Sequence, residues 1–267
     1  MIIALRAGIA HEVRLFLTAL QFLTRVPVPS WCGHEPGWLH QSVRHFPLVG
    51  ALVGAFGALA LIAASAWWPP HVAAALALLA TLWVTGAFHE DGLADTFDAL
   101  GGHVSRDRSL AIMKDSRIGT YGACALVLAL GLRVALLGVL LQHGTAIACS
   151  ALLGSHVVGR GGGVLLMGLL PYAGDVAQTK AKPLAVAVSR NSVALATAMT
   201  VGVVALLSAS STAADAQRWA VAMLAALGVV LGMRRWLTRR LGGYTGDALG
   251  ATEQLCEVAV LGVLAAQ

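Results

Sequence analysis

The stretch HVAAALALLATLWVTGAF, residues 71 to 88, carries no charged side chain. Runs of this character recur along the chain, and they constrain its fold more than any other feature. A membrane-spanning helix needs about 20 mainly apolar residues. Candidate spans are 46–66, 72–88, 121–142, 145–170, 192–211, 217–233 and 252–266, the last being the weakest because it is short and carries Glu257. Only 12% of residues are charged, against about 25% in a soluble domain, and no stretch has a soluble domain's polar balance. The expected fold is all-α: one polytopic membrane helix bundle over residues 1–267, with about seven spans and an N-terminal amphipathic helix.

That first helix is read from Ile2, Leu5, Ile9, Val13, Phe16, Leu20 and Leu23, which recur at three- and four-residue steps and form one apolar stripe. It is expected at the membrane surface or packed on the bundle, and the prolines of TRVPVPSW end it. Arg6, Glu12 and Arg14 interrupt the segment, so it is not read as a cleaved signal peptide. Trp67 and Trp68 suit an interfacial aromatic belt.

The net charge of +5 does not point to nucleic acid, because the cations sit between apolar runs. Arg6, Arg14, Arg25 and Arg44 precede the first span, and Arg106, Arg108, Lys114 and Arg117 follow the second. Lys180, Lys182 and Arg190 follow the fourth, and Arg234, Arg235, Arg239 and Arg240 follow the sixth. With seven spans all of these share one side and only Arg218 falls opposite. By the positive-inside rule that side, with the N-terminus, is cytoplasmic. Cys32, Cys124, Cys149 and Cys256 show no CxxC spacing and read as small buried residues rather than zinc ligands or disulfides.

The chain has thirteen Asp and Glu, yet four of them, Glu90, Asp91, Asp95 and Asp98, fall in FHEDGLADTFDALGG, residues 88 to 102. Asp91, Asp95 and Asp98 are spaced i, i+4, i+7 and share one helical face. Like charges at that spacing repel, so the stripe calls for a counter-charge. Mg²⁺, which takes carboxylate and phosphate oxygens, is the natural one. A solvated helix end is the plain alternative. Gly92, a poor helix former, hints at close backbone or ligand approach.

Three further patches carry polar chemistry in apolar surroundings. In IMKDSRIGTYG, residues 112 to 122, Lys114 and Arg117 with nearby hydroxyls suit phosphate oxygens, whereas Arg106 and Arg108 read as topology charges. In LGGYTGDALGA, residues 241 to 251, Gly242, Gly246 and Gly250 form a small-residue face. Asp247 there either pairs with an arginine or joins the site. Arg133 and Arg160 lie inside apolar runs and face a bundle interior or a polar cavity, His156 sharing a face with Arg160. The HVVGRGGG run reads as a broken helix lining that cavity. His89 abuts the acids as a ligand, a base or a simple hydrogen-bonding group, and Arg44 and His45 of SVRHFPLVG sit at another mouth on the same side.

At these residues the chain resembles the cobalamin synthase (adenosylcobinamide-GDP ribazoletransferase) family. The matching stretches are FLTRVPVP (22–29), FPLVG (46–50), HEDGLADTFDALGG (89–102), MKDSRIGTYG (113–122) and LGGYTGDALGA (241–251), in family order. Ala99 stands where the family usually has Gly. The resemblance implies a Mg²⁺-dependent multi-pass enzyme of the bacterial inner membrane, acting from the cytoplasmic side. It joins α-ribazole, or its 5′-phosphate, to adenosylcobinamide-GDP and releases GMP. Carried onto this sequence, Glu90, Asp91, Asp95 and Asp98 become metal ligands, with Asp98 or Asp95 as proton acceptor. Arg117 becomes catalytic, and Arg44, Lys114, Arg117 and Asp247 contact substrate phosphate. A homo-oligomer is compatible with the sequence. The rivals are a CDP-alcohol phosphotransferase of lipid synthesis and an ion-coupled transporter.

Overall fold

A computed structural model of the chain describes residues 2–33, 35, 37–174, 188–209 and 213–266. The positive residues Lys180 and Lys182 lie outside the described residues. The helices are α1 Ile2–Leu23, α2 Trp38–Ser42, α3 Phe46–Ser65, α4 Pro70–Thr85, α5 Phe88–Gly101, α6 Arg106–Ile112, α7 Thr120–His143, α8 Thr145–Leu169, α9 Arg190–Ala209, α10 Ala213–Arg240 and α11 Gly246–Ala265. A 3-10 turn, Val43–His45, joins α2 to α3 so that Trp38–Ser65 runs on as one apolar helix. Six helices are long and apolar enough to cross a membrane, and α4 with α5 makes a bent pair. The chain is a multi-pass membrane helix bundle.

The expected span over 72–88 corresponds to α4, which ends at Thr85. α4 stops after 16 residues, and α5 leaves it at 90°. The corner is built by Gly86 and Ala87, both in the left-handed region at φ 69° and 57°. Both amides reach back to the Leu82 carbonyl. Glycine tolerates that conformation at no steric cost, and the Arg25 guanidinium fills the space a Cβ at Gly86 would take. The acids therefore ride on a separate helix, α5, set at 90° to α4.

α8 is the central helix, with 78% of its apolar window buried, against 22% for α9. The GRGGG segment does not break it, which corrects the expected discontinuity. Its glycines instead seat neighbours: a Cβ at Gly159 would meet Glu253 and Glu257, one at Gly161 would meet Thr200, and one at Gly162 would meet Cys256. From the other side, Gly50 and Gly54 of α3 lie against the His156 and Leu153 backbone. Small residues four apart let helices approach this closely in a membrane.

α11 begins six residues earlier than the sequence suggested and is a full 20 residues long. Thr245 caps it by accepting from the Ala248 amide. Of the three glycines in its small-residue repeat, Gly250 packs against α5 at His89, whereas Gly242 (φ 77°) belongs to the turn before α11. In α1 the buried face is Leu15, Ala19 and Leu23, while Ile9 and Val13 are exposed. Cys124 is exposed, contrary to expectation, and Cys32 and Cys256 are buried.

Hydrogen bonds tie many chain segments together at one end. The Arg25 amide donates to the Val84 carbonyl, linking α1 to α4. Arg106 donates to the carbonyls of Leu241 and Ala173, and Arg240 to those of Leu100 and Gly102. Tyr172 and Tyr244 form an isolated bridge. This end also carries α5 and Asp247.

Candidate active site

Each acid of the expected cluster has its own setting on α5. Asp91 is exposed, and Asp95 and Asp98 are half-buried along the same stripe. Glu90, expected as a metal ligand, points the other way: it is buried and pairs with Arg133 at 3.2 Å. Its α5 position faces the bundle interior, about 80–140° around the helix from the aspartates. Asp98 receives the Gly119 amide at 2.7 Å and the Gly122 amide at 2.8 Å. It thus caps the start of α7 with a carboxylate, where the helix dipole favours negative charge, and it docks the Lys114–Gly119 turn onto α5.

Among the described residues Asp247 takes no arginine partner, and it joins the aspartates. A Cβ at Gly92 would collide with the Asp247 backbone, so α5 and α11 touch there. Burial, followed by the carboxylates of Asp247, Asp91 and Asp98, pushes Asp95 up to about 7. Among the described residues no cationic side chain pairs with Asp91, Asp95 or Asp247, and no three His, Cys, Asp or Glu side chains converge closely enough to enclose a metal ion.

The expected phosphate-binding cations are placed unevenly. Arg117 is highly exposed and makes a fork onto Asp115, with Nη2 to Oδ2 at 2.6 Å. Those bonds hold the Asp115 carboxyl down to about 2. Lys114 is exposed in the same turn. Arg44 is held by Glu12 of α1 at 3.0 Å, and His45 Nε2 lies 2.9 Å from the same carboxylate. Arg106 does more than set topology, because its guanidinium bridges the turns after α8 and α10.

Behind the stripe lies a buried charge network that sequence spacing showed only in fragments. Arg133 of α7 contacts Glu90, Gln254 and Glu257. Arg160 of α8 contacts Glu253 at 2.8 Å and donates to the His156 carbonyl at 3.2 Å. His156 meets Glu257 at 2.6 Å, and His89 meets Glu253 at 2.9 Å. The network joins α5, α7, α8 and α11 directly beneath the aspartates. Glu257, which made 252–266 look like a poor span, and Glu253 are counter-ions of Arg133 and Arg160. Their i, i+4 spacing on α11 was the available signal.

Comparison with known proteins follows the same lines. Residues 15–265 match the model of the cobalamin-5-phosphate synthase family. A relative from Leptothrix cholodnii, named adenosylcobinamide-GDP ribazoletransferase, is 52% identical over 97% of this chain and 98% of its own length. One of the same name from Polaromonas naphthalenivorans is 44% identical over 92% of this chain and 95% of its own. Another from Shewanella amazonensis is 41% identical, with 95% of both chains covered. No solved structure matches. With the match running through α5, the Lys114–Gly119 turn and the start of α11, the chain belongs to the cobalamin-5-phosphate synthase family.

Proposed function

We propose that this chain is an adenosylcobinamide-GDP ribazoletransferase, and that it works by Mg²⁺-dependent phosphoryl transfer. The observation that carries the reading is the juxtaposition of Asp91 and Asp95 on α5 with Asp247 on α11, uncompensated by any cationic side chain among the described residues. Similarity to ribazoletransferases over nearly the whole chain supports the substrate pair.

The donor set fits Mg²⁺. Its oxygens are hard, and this ion is commonly held by one or two carboxylates together with water and substrate phosphates, so a closed protein cage is not required. Asp91, Asp95 and Asp247 would hold it, and once bound it would neutralise charge on the transferring and leaving phosphates. Glu90 drops out of that set and serves the network below. Asp98 keeps its place in the site by docking the phosphate-gripping turn.

In the reaction, a ribose hydroxyl oxygen of α-ribazole, or of its 5′-phosphate, bonds to the cobinamide-linked phosphorus. The bond from that phosphorus to the bridging oxygen breaks, and GMP leaves with the electron pair. Asp95, pushed up to about 7 chiefly by burial, is suited to draw the hydroxyl proton. Arg117 exchanges its fork from Asp115 to a phosphate, a bidentate geometry lysine cannot copy. Lys114 adds a point charge from the same turn.

The gathering of arginines at the site's end supports placing it on the cytoplasmic face of a bacterial inner membrane. Cysteine reporters at Ser105 and Thr238 should resist labelling from outside intact cells. The decisive experiment incubates purified protein with Mg²⁺, adenosylcobinamide-GDP and α-ribazole in detergent. GMP and a base-on corrinoid should appear without any ion gradient, which separates a transferase from a transporter. Absence of GMP release from folded protein overturns the reading.

A further inference from the structure

We infer that an aromatic-lined cleft beside the aspartate stripe holds the flat heteroaromatic base of the ribazole substrate, leaving its ribose at Asp91 and Asp95. This rests on the transferase reading and deepens it. The cleft is partly open and is lined by Phe22, Phe46, Phe88, Tyr172 and Tyr244.

Its rings come from separate parts of the chain. Phe22 at the end of α1 stacks on Phe46 at the start of α3, with centroids 6.0 Å apart and planes 15° apart. Phe22 also meets Phe88 of α5 edge to face at 5.5 Å. A second pair, Tyr172 and Tyr244, meets edge to face at 5.5 Å. The turns carrying the tyrosines are stapled together: the Ala173 amide donates to the Tyr244 carbonyl, and the Tyr244 amide to the Pro171 carbonyl. Aromatic rings on fixed backbone make a preorganised slot for a planar ligand.

The cleft also has one polar region, where His89, Arg160 and Glu253 line it. Arg160 is only 2% exposed, and its Nε has no hydrogen-bond partner among the described residues. A benzimidazole nucleoside matches this chemistry, with carbon edges against the rings and a single free ring nitrogen able to accept one N–H. Guanine matches poorly, because donors and acceptors on two of its edges would face carbon, and unpaired polar groups are costly to bury.

Reach favours the same occupant. Phe88 lies on the stripe of Asp91 and Asp95, three and seven residues before them. Gly246, adjacent to Asp247, lines the cleft as well. A nucleoside with its base among the rings therefore brings its sugar to the carboxylates that the reaction needs.

The test combines equilibrium dialysis of α-ribazole against the purified protein in detergent with steady-state kinetics for both substrates. Phe88→Ala and Tyr172→Ala should weaken α-ribazole binding at least tenfold and raise its KM. The KM for adenosylcobinamide-GDP and the turnover at saturating α-ribazole should stay near the parent values. Phe88→Leu, which keeps apolar volume but removes the ring, guards against misfolding and should show a smaller shift of the same kind, with thermal unfolding as the check. Parent-like α-ribazole binding in all three folded variants overturns the inference while parent GMP release leaves the transferase reading standing. A rise confined to the KM for adenosylcobinamide-GDP also overturns it and assigns the cleft to guanine. A parent protein that neither binds α-ribazole nor releases GMP overturns both readings.

Discussion

Gly92 lies against the backbone of Asp247, with the Asp247 carbonyl and Cα occupying the space where a Cβ would stand. This contact sets how closely the acid of α11 approaches the acids of α5. Gly92→Ala should force the two helices apart at a cost of about 1–3 kcal/mol, the usual scale of overpacking. Activity should fall further than stability does, because the shift falls on the site itself. Thermal unfolding in detergent, read alongside GMP release, checks this; parent activity in Gly92→Ala would show that the spacing is not needed.

Asp91, Asp95 and Asp247 should behave as one unit. Asn at any of them should lower turnover by about 10²–10³-fold, the scale for losing one element of electrostatic transition-state stabilisation. Double variants should lose little more, as groups acting together do. The pH response follows from Asp95, pushed up to about 7 chiefly by burial. Below that value Asp95 carries a proton that Mg²⁺ must displace. Apparent Mg²⁺ affinity should therefore fall as pH is lowered through about 7, and Asp95→Asn should flatten that slope. A parent affinity independent of pH between about 6 and 8 would contradict the assignment.

Arg106 and Arg108 should respond differently to lysine. Arg106→Lys cannot serve the carbonyls of Leu241 and Ala173 together, and should cost about 1–2 kcal/mol, allowing for the group's partial exposure. Arg108→Lys should stay within about 0.5 kcal/mol, as surface changes do. Arg117→Lys should leave stability unchanged and lose catalysis. Equal, small effects on activity at Arg117 and Arg108 would reduce Arg117 to a topology charge.

Glu257 is fully buried between Arg133 and His156. Glu257→Gln leaves Arg133 and Arg160 short of a counter-ion, and breaking such a pair costs about 3–5 kcal/mol. Equilibrium or kinetic unfolding should show the loss even where the acid stripe is intact. A parent-like unfolding midpoint would mean that Glu253 and Glu90 suffice.

The bundle itself was legible in the chain, since lipid demands long apolar helices and nothing local competes with that demand. The aspartate stripe was legible for a similar reason: spacing alone decides which residues share a helical face. Gly92 announced a close approach, though not to what. The corner at Gly86 was less visible, because 72–88 is apolar throughout and hydropathy cannot see a left-handed turn. The role of Glu90 was hidden because an acid beside three others reads as one of them, whereas its side chain leaves the helix on another face.

Sequence by itself thus determined the membrane bundle, the gathering of acids at the end of an apolar run and the turn that carries Arg117. All of these follow from composition and helical periodicity, which are properties of a single segment. Only the tertiary structure decided which charges meet. It sent Glu90 to Arg133, made counter-ions of Glu253 and Glu257, gave Asp98 to the amides of Gly119 and Gly122, and left Asp247 with Asp91 and Asp95. The physical reason is that a buried charge is tolerated only beside its partner, and the partners here lie on different helices, up to 167 positions apart in sequence for Glu90 and Glu257 around Arg133. Helix packing brings them together, and no local spacing records it.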